Sequence, residues 1–407
     1  MTKPIARTGG SPRASNVPVS NVVDAGDFIF TSAQNALDES GKLICAAADQ
    51  QLDCALQQLE ARLREVDASL ADVAKLGLFY LNGSGLDETA LLRQIRRRFP
   101  DGMPPAITAI PLSAMPYPGM SVQLDAIAAR KSAGRRFVPT SRGRWPWPAG
   151  AAFSQAVRCG DVIFVSGQMA LNQDGTTQHP QDIVGQAKST LENMRIALRS
   201  VGADLDAVVK LNTFYVGFGT TRDWEMAARV RSAAFTKPGP GATGVPVPGP
   251  YPNGLLLRQD SVAILGKDGR PAPRSTSWPD GHWDWPIKVS FEQGLKLGRM
   301  IILGGQIARA ESGAAMHPGD LAKQAADCMD YIQSILAGFG ASTENMVKVT
   351  VLYATNPERA SDDLGKVLDV LQGYFRDSVP ALTAIPLEKL GMEDLVIEIE
   401  GIAIVDA

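Results

Sequence analysis

The chain is short of the residues that build metal centres and disulfide scaffolds. Among its 407 residues are four cysteines and three histidines, and no two cysteines form a CxxC pair. His179, His282 and His317 do not show the spacing of metal ligands. No glycine-rich phosphate-binding motif follows a predicted strand. We therefore expect no metal and no other cofactor, and the cysteine pattern favours a reducing, cytoplasmic location.

Membrane-spanning and nucleic-acid-binding patterns are also missing. No apolar run approaches the roughly 20 residues that cross a bilayer. The N-terminal run MTKPIARTGGSPRAS lacks the apolar region of a signal peptide. The net charge of -3 and the lack of a basic stripe give no reason to expect nucleic acid or membrane as a partner. With 45% hydrophobic and 20% charged residues, the composition is typical of a soluble globular protein.

What the chain does contain is one unit used three times. FSQAVRCGDVIFVSGQ, at 153–168, is the pattern of a strand, a tight turn and a second strand. Altered copies lie at 19–34 and 291–306. Because 407 residues are too many for one ordinary core, we predict three domains. Their predicted bounds are 15–130, 145–265 and 282–407, joined by polar linkers at 131–144 and 266–281.

Beyond the hairpin, each copy repeats the same spacings. A helix with one apolar stripe follows the hairpin, and Asp182 and Asp320 precede two of these helices as predicted N-caps. A glutamine in each helix is followed 24 positions later by a lysine, as in Gln51–Lys75, Gln186–Lys210 and Gln324–Lys348. A second helix precedes a threonine, and an acid follows 17 positions later on the last strand. These pairs are Thr108–Asp125, Thr243–Asp260 and Thr383–Glu400.

The order of elements in each copy, β-β-α-β-α-β-β, indicates an α+β fold. A mixed sheet with two helices on one face leaves its other face uncovered. We therefore expect the three sheets to pack together around a pseudo-threefold axis, with the helices outside. The single chain would then be a pseudo-trimer, and the sequence leaves further oligomerisation open.

At this point the motifs resemble a known family. FSQAVRCGDVIFVSGQ, the AxLxxVVKLNTFY strand and the closing VIEIEGIAI are similar to the RidA (YjgF) family of imine and enamine deaminases. The resemblance implies a bacillus chorismate-mutase-like fold and small-molecule pockets at the seams between copies. It also implies hydrolysis of a reactive 2-imino or 2-enamino acid to a keto acid and ammonia.

The resemblance assigns candidate catalytic acids but no carboxylate anchor. Members of the family hold the substrate carboxylate with an arginine, and a last-strand glutamate helps to position water. The matching acids of this chain are Asp125, Asp260 and Glu400. At the arginine position stand Ile107, Ala242 and Leu382. An aliphatic side chain does not replace a bidentate guanidinium, so we expect a substrate other than a simple 2-imino acid.

Other residues are candidates for substrate binding. Arg258 either binds an anion in one pocket or pairs with a neighbouring acid. Gly167 and Gly305 suit the close approach of a ligand, and their turns could offer backbone N–H groups. Aromatic side chains either wall the pockets or serve as structural elements at turns and junctions between copies. These aromatic candidates are Phe153, Phe291, Tyr117, Tyr251, Trp147 and Trp285.

Two interpretations stay open at the level of function. The first is an enzyme of C=N or enamine-type hydrolysis, or a related deamination, on a small molecule. The second is a non-catalytic small-molecule binding protein or scaffold. The lysines Lys75, Lys210 and Lys348 also resemble the serine–lysine arrangement of cyanuric acid hydrolase, although Gly304 replaces the serine of one copy. The simpler expectation is that these lysines are solvated.

Overall fold

A computed structural model describes residues 5–8, 19–38, 40–100, 104–131, 135–137, 150–249, 254–375 and 378–405. The first repeat consists of β1 (Ile5–Thr8), β2 (Ser20–Asp24), β3 (Phe28–Thr31), α1 (Ala48–Arg64), β4 (Val73–Leu81), α2 (Glu88–Arg96), β5 (Ala106–Leu112) and β6 (Val122–Ala129). The second consists of β7 (Arg135–Phe137), β8 (Ala156–Cys159), β9 (Val162–Gln168), α3 (Ile183–Arg199), β10 (Val208–Val216), α4 (Thr221–Ala233), β11 (Gly241–Val247) and β12 (Leu257–Ile264). The third consists of β13 (Ser275–Ser277), β14 (Gly294–Leu297), β15 (Met300–Leu303), β16 (Gln306–Ile307), α5 (Leu321–Ala337), β17 (Met346–Ala354), α6 (Ala360–Gln372), β18 (Ala381–Leu387) and β19 (Ile397–Ile404).

The α+β fold and the three tandem repeats predicted from the sequence are confirmed. In each repeat the strand after the first helix lies between a parallel and an antiparallel neighbour: β4 between β5 and β6, β10 between β11 and β12, and β17 between β18 and β19. The parallel pair requires a crossover connection, which the second helix supplies. The antiparallel strand is the one that carries the candidate acids.

The segments predicted as linkers contribute more than connections. β7 lies in the first predicted linker and pairs with β8, and β13 lies in the second and pairs with β14. β1 pairs with β2 in the same way. Each repeat therefore gains an antiparallel edge strand that the β-β-α-β-α-β-β order did not include. Three or four residues are too short a run to show a strand pattern in the sequence.

The first helix of each repeat packs its apolar stripe on the sheet, as the sequence predicts. Leu52, Leu56, Leu59 and Leu63 of α1 are fully buried, and each is expected to contribute roughly 1.5–3 kcal/mol to stability. Asp182 and Asp320 cap α3 and α5 by accepting hydrogen bonds from first-turn N–H groups.

The repeated glutamines fix each helix to the loop before the last strand. Gln186 is fully buried, donates to the Gly254 carbonyl at 2.9 Å and accepts from the Leu256 N–H at 2.7 Å. Gln51 and Gln324 make the equivalent pairs of bonds. One side-chain amide thus satisfies two backbone groups that would otherwise be buried without partners.

The repeats join edge to edge in a cycle. Ser20 of β2 pairs with Ala381 of β18, which links the first repeat to the third. Parallel bridges between Ala106 and Ser154 and between Gly241 and Glu292 form the other two junctions. We call these junctions the 1/3, 1/2 and 2/3 seams. In the described part of the chain, none of the helices is long and apolar enough to cross a bilayer.

Two of the four cysteines are bonded to each other. A disulfide joins Cys45, in the loop before α1, to Cys54 on that helix. Cys159 and Cys328 are buried free thiols. The spacing of nine residues between the bonded pair gave no such signal in the sequence.

Candidate active site

The three acids predicted to be catalytic lie around the centre of the molecule and not in the seams. Asp125, Asp260 and Glu400 line a central cavity of about 140 Å³. Each acid is bound to a lysine and a threonine of the preceding repeat in the cycle. We call these groups the Lys–Thr–acid triads: Lys75–Thr108–Asp260, Lys210–Thr243–Glu400 and Lys348–Thr383–Asp125.

The triad that links the first repeat to the second shows how fully these charges are satisfied. Lys75 Nζ lies 3.0 Å from Asp260 Oδ2 and 2.6 Å from Thr108 Oγ1. It also donates to the Val165 carbonyl of the second repeat at 2.8 Å. The expectation of solvated lysines is therefore wrong, because the three ammonium groups are largely buried in cross-repeat ion pairs. The catalytic role of the acids stays a prediction, while their position favours holding the repeats together.

The seams are reached by side chains two positions earlier on the same strands. Asp125, Asp260 and Glu400 share their strand face with Gln123, Arg258 and Glu398, as alternation predicts. Two residues correspond to about 7 Å along a strand, which separates the central cavity from the seam. The three seam positions therefore carry an amide, a guanidinium and a carboxyl group, and the repeats differ most at this point.

The 1/2 seam is closed by an ion pair. Arg258 Nη2 lies 2.8 Å from Glu88 Oε1, and the guanidinium also donates to the Ala109 carbonyl. Phe153 is fully buried here in the core of the first repeat. The ion-pair interpretation of Arg258 is thus the one that the structure shows, and the cation is not offered to a ligand.

The 1/3 seam is open, and amide side chains line it together with the charged side chains of Asp38 and Arg62. Its cavity has a volume of about 90 Å³. Gln34, Asn35 and Gln123 line it together with Tyr117, and Gln123 donates across the seam to the Ala384 carbonyl at 2.8 Å. An amide is neither an acid nor a base near neutral pH, so this cavity offers binding groups and no proton donor at the last-strand position.

The 2/3 seam combines a carboxyl group, a guanidinium and aromatic rings. Glu398 and Arg231 line its cavity on opposite repeats. The walls are Trp224, Trp283, Trp285 and Phe291. The cavity has a volume of about 30 Å³, whereas a single water molecule needs about 10–15 Å³. The site therefore admits only a small ligand.

Burial raises the pKa of Glu398. The residue is 6% exposed, and desolvation, followed by the nearby charge of Glu400, raises the pKa of its carboxyl group to about 8. Lys210 and Arg231 act in the opposite direction with smaller effects. A carboxyl group with this pKa is largely protonated at neutral pH and is chemically able to act as a general acid or base.

Arg231 was not found from the sequence. It projects from α4, where its Nη1 donates to Thr213 Oγ1 at 2.8 Å and its Nε to the Ala227 carbonyl at 3.3 Å. Its guanidinium carbon lies 5.7 Å from the centre of the Phe291 ring. Burial lowers the pKa of Arg231 to about 10, so the side chain remains a cation at neutral pH.

The two glycines predicted to contact a ligand make room for protein side chains instead. A Cβ on Gly305 would overlap Glu398 Oε1, and a Cβ on Gly167 would lie 2.7 Å from Arg258 Cδ. The Gly305 N–H is not free for an oxyanion, since it donates to the Ala242 carbonyl across the seam at 3.0 Å. The prediction that this turn offers its N–H to a ligand is therefore wrong at Gly305.

The aromatic candidates divide between the seams. Phe291 and Trp285 wall the 2/3 cavity, with their ring centres 6.1 Å apart. Trp283, whose ring centre lies 5.0 Å from that of Trp285, belongs to the same wall. Trp147 and Tyr251 lie outside the residues that the structure describes.

Comparison with known proteins identifies the repeats. The family model described as Endoribonuclease L-PSP matches residues 10–130, 146–253 and 286–405. A RutC family protein of Pyrococcus abyssi is 33% identical over 113 residues, which are 28% of this chain and 84% of that protein. A 2-iminobutanoate/2-iminopropanoate deaminase of Mus musculus is 31% identical over 114 residues, 28% of this chain and 80% of that protein.

Among solved structures, a chorismatase has the same fold over most of the chain. It aligns with a TM-score of 0.54 over 82% of this chain and 93% of its own length. The identity is only 14%, so the likeness concerns the fold alone. With the three family matches, these findings show that the chain belongs to the Endoribonuclease L-PSP family, the RidA (YjgF) family of the sequence resemblance, and carries its domain three times.

Proposed function

We propose that this protein hydrolyses the C=N bond of a small imine, or of the imine formed from an enamine, in the 2/3 seam. The observation that carries the proposal is the meeting of Glu398 and Arg231 in one aromatic-walled cavity between two repeats. Relatives of similar sequence are 2-iminobutanoate/2-iminopropanoate deaminases, which supports the reaction class.

The reaction needs a group that both donates and accepts a proton. Water adds to the imine carbon, the imine nitrogen takes a proton and the added oxygen gives one up, which produces a carbinolamine. The amino nitrogen then takes a second proton, the C–N bond breaks, the hydroxyl oxygen gives up its proton and becomes a carbonyl, and ammonia leaves. A buried carboxyl group with a pKa of about 8 can give a proton to nitrogen and recover one from oxygen in each of the two stages, so Glu398 ends unchanged.

The other two seams support binding or packing better than this chemistry. Arg258 and Glu88 neutralise each other in the 1/2 seam. Gln123 stands in the 1/3 seam where the 2/3 seam has Glu398. We therefore propose that each chain has a single reactive seam, the 2/3 seam. The 1/3 cavity would bind a small molecule without catalysing the reaction.

Replacing Gly305 by alanine tests the site without removing a charged group. The new methyl group must displace the Glu398 carboxyl, and a misplaced acid is expected to lower turnover about tenfold or more. The measurement is ammonia release from freshly generated 2-iminopropanoate, with the wild-type chain giving clear release.

Gly167→Ala is the matched control for this substitution. Its methyl group would press on Arg258 in the closed 1/2 seam, so we expect lower thermal stability with normal ammonia release per folded molecule. Equal loss of turnover in both variants would contradict the assignment of the reaction to the 2/3 seam. So would the absence of ammonia release by the wild type from any small imine.

A further inference from the structure

We infer that Arg231 binds the carboxylate of the ligand in the 2/3 seam, so that the anchor missing from the last-but-one strand is supplied by helix α4 of the second repeat. This inference rests on the proposed function for its reaction, but it concerns binding and can be tested without turnover. It also names the ligand as a small carboxylic acid, and so replaces the expectation, drawn from Ile107, Ala242 and Leu382, that the substrate is not a simple 2-imino acid.

The first support is the lack of a balancing charge. Among the described residues, no carboxylate lies within ion-pair distance of Arg231, whereas Arg258 in the 1/2 seam is paired with Glu88. The side chain of Arg231 is only 1% exposed. A buried cation is costly without a partner, and protonation removes the charge of Glu398. An anionic ligand would supply the missing charge.

The second support is a set of unused donors. Arg231 Nη2 and Trp283 Nε1 are buried without a hydrogen-bond partner among the described residues, and both side chains line the cavity. The Tyr215 hydroxyl group is also buried without a partner there. Buried donors in native proteins are normally satisfied. A carboxylate between Arg231 and Trp283 would accept from both.

The third support comes from comparing the three repeats. Each second helix is followed by a phenylalanine, and the residue four positions before that phenylalanine lies near the end of the helix. This residue is Ile95 before Phe99, Arg231 before Phe235 and Leu371 before Phe375. Directly after the triad threonines stand Ala109, Gly244 and Ala384. A Cβ on Gly244 would lie 3.2 Å from both Nη atoms of Arg231. The second repeat thus departs from the others twice, and each departure serves the same guanidinium.

The test measures the binding of pyruvate and of its neutral amide, pyruvamide, by calorimetry and by quenching of tryptophan fluorescence. We expect the wild-type chain to bind pyruvate at least tenfold more tightly than pyruvamide. Arg231→Met should remove this preference, because a hydrogen bond to a charged group contributes about 1.5–3 kcal/mol, equivalent to a roughly 10- to 150-fold change in affinity. Arg231→Lys keeps the positive charge but loses the paired N–H donors of the guanidinium, so this variant should retain part of the preference for pyruvate.

Gly244→Ala serves as a second variant if the loss of Arg231 prevents folding. Its methyl group would move the guanidinium by a few tenths of an ångström, and we expect weaker pyruvate binding with unchanged pyruvamide binding. Equal affinity of the wild type for pyruvate and pyruvamide would overturn the inference, as would a preference that survives in Arg231→Met. Arg231-dependent pyruvate binding without imine turnover would support the anchor and contradict the proposed reaction. Imine turnover with a KM that does not respond to Arg231→Met would do the reverse.

Discussion

Glu398→Gln is expected to lower kcat/KM for ammonia release by about 10²–10⁴-fold, the range typical of a lost general acid–base. The amide has the shape of the carboxyl group but cannot transfer its proton. The loss should appear mainly in kcat, since binding of the substrate carboxylate is assigned to Arg231. The measurement is steady-state ammonia release from 2-iminopropanoate across a series of substrate concentrations.

Thermodynamic stability supplies the control for this substitution. The pKa of Glu398 is about 8 in the folded chain, against 4.5 for an unperturbed glutamate. Between these values the unfolded chain has released the proton that the folded chain retains, so stability falls as pH rises from about 4.5 to 8. Among the described residues, the charged or titratable groups that interact with this carboxyl group are Glu400, Lys210, Arg231, Tyr215 and Cys328.

Glu398→Gln should therefore remove a pH-dependent cost. Relative to the wild type, the variant should be equally stable near pH 4.5 and more stable near pH 9, by a few kcal/mol, because each pKa unit corresponds to about 1.4 kcal/mol. Urea unfolding at the two pH values measures this. A variant that is inactive and less stable at both pH values would indicate a structural role for Glu398 instead.

Asp260→Asn is expected to lower the free energy of unfolding by about 3–5 kcal/mol, because it leaves the buried Lys75 ammonium without its ion-pair partner. Burial already lowers the pKa of Lys75, and Asp260 is the charge that opposes this effect most. Urea unfolding measures the loss. Turnover per folded molecule should change little, since this triad lies at the central cavity and not in the 2/3 seam.

The double variant Lys75→Met with Asp260→Asn distinguishes the effect of losing the whole ion pair from the effect of leaving one charge unpaired. Removing both charges avoids an unpaired buried ion, so the double variant should recover much of the stability lost in Asp260→Asn. The opposite pattern, normal stability with turnover abolished in Asp260→Asn, would restore the catalytic interpretation of the central acids and contradict the structural one.

The fold could be predicted from the sequence because the pattern of each helix and strand occurs three times in the chain. The apolar stripes, the caps at Asp182 and Asp320 and the order of helices and strands along the chain all follow from local patterns that recur in each copy. The spacings of 24 and 17 residues also marked the lysines, threonines and acids that form the triads, although the lysines were expected to be solvated. What the spacings did not contain is that the lysine of one repeat meets the acid of the next, as Lys75 meets Asp260. Contacts between repeats depend on how the sheets are arranged, which no single copy encodes.

The site was harder to predict for the same reason. Strand alternation placed Glu398 and Glu400 on one face, yet only the arrangement of the sheets decides which of them reaches a seam. Arg231 belongs to no repeated motif, so a search for shared residues passes over it. The available signal was a difference between copies: an arginine on a helix position where the other repeats have Ile95 and Leu371, together with Gly244 where they have alanine. In a tandem repeat, the residues that break the pattern are thus the better guide to function.

The most direct measurement is a crystal structure of the full chain grown with pyruvate, the expected product of 2-iminopropanoate hydrolysis. The proposed site predicts pyruvate in the 2/3 seam, with its carboxylate on Arg231 and Trp283 and its carbonyl carbon beside Glu398. Pyruvate bound only in the 1/3 cavity or among the Lys–Thr–acid triads, with the 2/3 seam empty, would contradict it.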